Sequence, residues 1–197
     1  MTDPTPGDPA TDLALRLALP DALRVLAEEF PRAGWAEAQG PFRNLVLFWL
    51  DKHMSFRRLL DRLEADAQAA LDGADPMAYR RSLARHGGML INELHGHHMI
   101  EDAQYFPVME RADPVFAQGL KILDADHQAL DALLHEMTDG ANAVLRDNAG
   151  GPGFRDRVGG LSKILARGGP LLQRHFEDEE ELVVPVLLKH EPAALAY

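Results

Sequence analysis

The chain has 197 residues, 46% of them apolar and 26% charged, with a formal charge of −11 and no cysteine. That acidity speaks against a nucleic-acid or anionic-membrane grip, since both need a basic face. The missing cysteines exclude disulfides, thiolate catalysis, iron–sulfur clusters and cysteine zinc sites, so any metal chemistry must use imidazole and carboxylate.

No run of about 18 apolar residues occurs, so nothing is expected to span a bilayer. The first residues, MTDPTPGDPATD, lack the basic-then-apolar order of a signal peptide. A soluble, cytoplasmic protein is the expectation.

Residues 1–40 read as a tail followed by a short helical extension. The first ten look disordered, and residues 11–30 suggest one or two short helices interrupted at Pro20. Four long helical patterns follow, at about 41–72, 76–110, 114–147 and 154–190. They are separated by turn chemistry at Asp72-Gly73-Ala74-Asp75-Pro76, Asp113-Pro114 and residues 148–153. Residues 191–197 form a C-terminal tail. No β-branched alternation calls for a strand.

Apolar residues recur by threes and fours in each pattern. Phe42, Leu45, Trp49, Phe56, Leu60 and Leu63 line the first, with His53 filling a gap. Leu90 and Leu94 lead to His97 and Glu101 in the second. Phe116, Leu120, Leu123, Leu130, Leu134 and Met137 line the third, around His127. Val158, Leu161, Leu165 and Leu172 lead to His175 and Glu179 in the fourth. These are the seams of an all-α, antiparallel up-down-up-down four-helix bundle spanning 41–190. Gly87-Gly88 should disturb the second helix, and Gly168-Gly169-Pro170 should kink the fourth or start its final segment.

Six polar residues thus fall on buried stripes: His53, His97, Glu101, His127, His175 and Glu179. Buried carboxylates facing each other repel and are costly unless protonated or paired. A cation between them removes both penalties, and this donor set suits divalent or trivalent ions. His97/Glu101 and His175/Glu179 are both spaced i, i+4, which stacks nitrogen and oxygen on one helix face. Each pair is followed by a proline at the same offset, Pro107 and Pro185. The surroundings of His53 and His127 also correspond: Asp51-Lys52-His53 before Leu59-Leu60, and Ala125-Asp126-His127 before Leu133-Leu134. The chain reads as a two-fold repeat able to place two equivalent metal positions.

The runs His97-His98-Met99-Ile100-Glu101-Asp102-Ala103-Gln104-Tyr105-Phe106-Pro107 and His175-Phe176-Glu177-Asp178-Glu179-Glu180-Glu181-Leu182-Val183-Val184-Pro185 resemble the second- and fourth-helix signatures of the hemerythrin-like, or HHE cation-binding, family. The resemblance covers about 41–190. It implies a four-helix bundle around a non-haem di-iron, oxo- or hydroxo-bridged centre. His53, His97, His127 and His175 would then be terminal ligands, and Glu101 and Glu179 bridges. Zn and Mn are the expected substitutes. A small ligand (O2, peroxide or NO) is the implied partner, with its reduction, as by a peroxidase, catalase-like enzyme or NO reductase, left open. A non-catalytic iron or oxygen sensor, or an iron store, is the alternative, and a structural bundle holding zinc or nothing is a third.

The pattern departs from the oxygen carriers in two places. Their fifth histidine falls at Asp131 here, either a replacement ligand or a solvated acid, and their fourth-helix acid at Glu180. A site short of one imidazole would be poorer in nitrogen and more open. His98 with Asp102 repeats the i, i+4 spacing one residue round the helix, as the ligand pair of a shifted register. The catalytic residues stay unassigned; Tyr105 is either a hydrogen-bond donor or radical site near the centre or a core aromatic. Asp51, Asp126, Asp131, Asn92 and Glu93 are the nearby acceptors for imidazole N–H groups. His95 lies near the site or at a helix edge, and His86, His135 and His190 read as solvated. Trp49 and Phe56 wall the pocket and Met54, Met89, Met99, Met109 and Met137 fill the core. In the acidic run Glu177 to Glu181, only Glu179 is expected to be buried.

Overall fold

A computed structural model describes residues 4–24, 26–37, 39–146 and 151–190. Among them all regular structure is helical, with no strand. The long helices are α1 (Arg43–Leu71), α2 (Pro76–Ser82), α3 (Gly88–Ile100), α4 (Phe106–Ala112), α5 (Ala117–Arg146) and α6 (Phe154–Lys189). Two π-helical turns, Leu83–Gly87 and Glu101–Tyr105, join α2, α3 and α4 without a break. Four helical stretches therefore fill 43–71, 76–112, 117–146 and 154–189, as an all-α helical bundle requires.

The breaks follow from local chemistry. Gly73 (φ +100°) ends α1, and the bonds Ala74 N–H to Ala69 O (2.9 Å) and Gly73 N–H to Ala70 O (3.2 Å) satisfy its last carbonyls. Asp75 then caps α2, accepting from Met77 N (3.0 Å) and Ala78 N (3.2 Å), with Pro76 as first helical residue. Asp113 accepts from Val115 N (3.4 Å) at the short turn before α5. The expected disturbance at Gly87-Gly88 is the end of the first π-turn. At Gly168-Gly169-Pro170, by contrast, α6 runs on without interruption, so no new segment starts there.

The chain forms two compact units. One comprises Met1–His53, His98–Ala129 and Gln173–Tyr197; the other Met54–His97 and Leu130–Leu172. In the first, Trp35, Trp49, Phe106, Phe116, Leu123 and Val184 are among the residues of a continuous buried core. In the second, Phe56, Leu63, Leu90, Leu94, Leu130, Val158 and Leu172 are buried. Burying each such side chain contributes about 1.5–3 kcal/mol relative to exposure.

The N-terminal segment differs from its expectation. Residues 5–16 form hydrogen-bonded turns, fastened by Asp8 and Asp12, whose side chains accept from Ala10 N (2.9 Å) and Gly7 N (2.7 Å). Among the described residues, the region read as short helices holds turns, bends and one 3-10 turn, Asp21–Leu23, directly after Pro20. Tertiary anchoring takes the place of helix: Leu13, Leu19, Leu23 and Leu26 are buried, and so is Arg16. The tail expected at 191–197, residues 1–3 of the expected disordered start and part of the 148–153 linker lie outside the described residues. Met109 and Met137 are core residues, but Met54, Met89 and Met99 are exposed, so only part of the methionine set fills the interior. No helix among the described residues is long and apolar enough to cross a membrane.

Candidate metal centre

Inside the first unit, α1, α3, α5 and α6 deliver a dense polar cluster to an apolar interior. His53, Glu101, His127, His175 and Glu179 are all buried, and His98 is buried with them. Two groupings stand out. His53, Glu101 and Glu179 can each present one donor atom within 4.8 Å of the others, and so can His98, His127 and His175.

The two glutamates link these groups. Glu179 Oε2 is 3.3 Å from His53 Nε2 and 3.5 Å from His175 Nε2. Glu101 Oε2 is 3.6 Å from His127 Nε2. Trp49 Nε1 donates to the other oxygen of Glu179. His97 is half-buried and ends the second unit, where its ring packs on Phe56 at 5.4 Å. It stands one helical turn ahead of Glu101 along the same helix.

The outward nitrogens are held by carboxylates. His127 Nδ1 lies 2.7 Å from Asp102 Oδ1, His175 Nδ1 lies 3.3 Å from Asp126 Oδ2, and His53 Nδ1 lies 3.0 Å from Glu180 Oε1. For His127 and His175 these partners assign the proton to Nδ1 and leave Nε2 as the inward acceptor. His127 Nε2 and His175 Nε2 are buried and accept no hydrogen bond. Such orphaned atoms cost about 1–3 kcal/mol each unless something else satisfies them.

The electrostatics ask for positive charge. Burial, then the neighbouring Glu179, pushes the Glu101 carboxyl well above the usual carboxylate range. Burial opposes a proton on His53, yet Glu179 and Glu180 outweigh it and raise its pKa. Burial lowers His175, only partly offset by Asp126, which favours the neutral ligand form.

Several sequence expectations need correction. His98 is not the start of a shifted His98/Asp102 ligand pair: it joins His127 and His175, while Asp102 holds His127 from outside. Asp131, at the fifth-histidine place, is partly exposed and pairs with His95 (3.1 Å) in the second unit. Glu180 orients His53. Asp51 and Asn92 are exposed, and among the acceptors considered Asp126 holds a clustered imidazole. In the acidic run Asp178, Glu179 and Glu180 are all buried, because Arg16 and Arg174 hold Asp178 and Arg32 holds Glu180. Tyr105 packs edge-on against Trp49, with centroids 5.1 Å apart. His86 is half-buried against Ser82 (2.9 Å), not solvated.

The sequence model of the hemerythrin HHE cation-binding domain matches residues 44–187. The chain belongs to that family, and so to its cation-binding proteins. No curated protein and no solved structure matches it. The residues present fit a cation: two buried imidazole nitrogens lack any hydrogen-bond partner, and two buried glutamates face them.

Proposed function

We propose that the chain holds two iron ions at this centre and binds a small ligand there, O2, peroxide or NO, with reduction of that ligand as its activity. Glu101 and Glu179 would hold the ions from the middle of the cluster. His53 would serve with them on one side, and His98, His127 and His175 on the other. The carrying observation is that both glutamates lie against inward Nε2 atoms of the histidine groups. His98 would add an imidazole to the expected set.

Bound iron would supply the redox chemistry. The protein's own part is geometric and electrostatic. Asp102, Asp126 and Glu180 hold three imidazoles in one tautomer and one orientation. Trp49 fixes one oxygen of Glu179, and Phe106 and Phe176 cover His127 and His53 (5.5 and 4.7 Å between centroids). Those aromatic walls keep bulk water from the donors. Zn or Mn would occupy the same donors as substitutes. A cytoplasmic setting, a small-molecule partner, and no nucleic-acid or membrane partner complete the reading; the cysteine-free, acidic composition supports it.

Metal analysis of protein purified from its native host tests this reading, which expects two irons per chain and turnover of peroxide or NO. Two irons with metal-dependent melting but no turnover would favour a sensor or store. Zinc alone, or no metal, would overturn it.

A further inference from the structure

The family match begins at residue 44, yet two arginines before it reach the back of the centre. The Arg16 side chain is fully buried. Its Nη1 donates to Asp126 Oδ1 at 2.7 Å and its Nη2 to Asp126 Oδ2, while Nε donates to Asp178 Oδ2 at 2.7 Å. Asp126 Oδ2 is in turn the partner of His175 Nδ1. Arg32, about half-exposed, pairs with Glu180 Oε2, and Glu180 Oε1 is the partner of His53 Nδ1. The backbone between them is tied down as well. Leu19 N–H donates to Asp178 Oδ1 (3.2 Å), Arg174 donates to Leu17 O (2.6 Å), and Arg24 pairs with Glu181 (2.8 Å).

We infer that the N-terminal segment is a two-point metal clamp: Arg16 and Arg32 are positioning residues, each fixing the carboxylate that orients the imidazole of a different ion. A carboxylate accepting an imidazole N–H from one side is free to rotate unless its other oxygen or lone pairs are held. The planar guanidinium fork of Arg16 holds both oxygens of Asp126 at once, which lysine, a point charge, cannot do. Arg16 then acts through His175 on the three-histidine group, and Arg32 through His53 on the other. Arg16 is buried and Arg32 is not, so the Arg16 arm is the stronger and the less sensitive to salt. This rests on the two-ion reading given above.

The test is iron release from the full chain, reconstituted with Fe(II), into excess ferrous chelator. Wild-type protein should load two irons and release them in two phases. R16Q should speed one phase by roughly 10–100-fold, the range seen for outer partners of metal ligands. R32Q should speed the other by a smaller factor, and its difference from wild type should shrink as salt is raised. R16K, which keeps the charge without the fork and is the variant to use if R16Q does not fold, should fall between wild type and R16Q. Variants that load two irons and release both at wild-type rates, or that accelerate both phases equally, overturn the clamp while leaving the two-ion reading intact. A wild-type stoichiometry of one overturns both.

Discussion

The imidazole of His98 lies flat on that of His127, with ring centroids 4.1 Å apart and planes inclined by 9°. Both rings stand near His175, at 5.2 and 4.9 Å. On the two-ion reading proposed above, His98→Ala should release one ion, weakening its binding beyond the roughly 10–100-fold typical of outer partners. Asp131→Ala, which only removes a partner of exposed His95, should leave loading unchanged. Metal content after dialysis checks both; equal loss from the two variants would remove His98 from the ligand set.

On the same reading, Glu101→Ala and Glu179→Ala should each empty the centre, because Glu179 lies against His53 and His175 and Glu101 against His127. Metal removal should also lower the wild-type melting temperature. A ligand present at a hundred times its Kd stabilises the folded state by about 2.7 kcal/mol. For a chain of this size each kcal/mol is worth about 2–4 °C. Calorimetry of loaded and chelated protein checks this, and the shift should vanish in Glu179→Ala.

Asp113 accepts from Val115 N (3.4 Å) and pairs with Lys189 Nζ (2.7 Å) and His190 Nε2 (3.3 Å). Burial works against its charge, but Lys189, Val115 and His190 together hold its pKa below the usual value. Folding therefore favours the ionised form. The stabilisation is present above the unfolded pKa, near 3.9, and is lost as pH falls through the folded value. Asp113→Asn should cost no more than about 1 kcal/mol at pH 7, since Lys189 is partly exposed. Urea unfolding at pH 7 and pH 3 should show the gap narrow at the lower pH.

Two glycines of α6 should respond in opposite ways to alanine. A Cβ at Gly160 meets nothing within 4 Å, so Gly160→Ala should stabilise by about 1 kcal/mol through helix propensity. A Cβ at Gly168 would lie 2.8 Å from Leu133 Cδ2 and 2.9 Å from Met137 Cε, both buried side chains. Overpacking there costs about 1–3 kcal/mol, so Gly168→Ala should lower the melting temperature. A rise for both would mean that Leu133 and Met137 yield freely.

The helices were legible because their breaks are local. Gly73, Asp75-Pro76 and Asp113-Pro114 terminate and cap by chemistry within a few residues. Burial of His53, Glu101, His127, His175 and Glu179 could be read from their apolar stripes, and Asp126 from its place beside His127. His98 was harder to place. Adjacent helix positions point about 100° apart, so a single-stripe reading admits only one of His97 and His98. His98 is the one that is buried, grouped with His127 and His175. Arg16 could not be seen at all: its partners Asp126 and Asp178 lie 110 and 162 residues away in sequence. Nothing local marks an arginine in a turn as the counter-charge of a buried acidic run.

The second π-turn opens at Glu101 and closes at Tyr105. A wide turn of this kind carries one residue more than the α-helical ladder would. Deleting exposed Ala103 would close it to an ordinary turn and swing Phe106, Val108 and Met109, now buried, by about 100° about the axis relative to Glu101. The helix can thus exchange side chains at this point but cannot lose a residue, so Glu101 and the hydrophobic anchor beyond it are bound to one fixed count of residues.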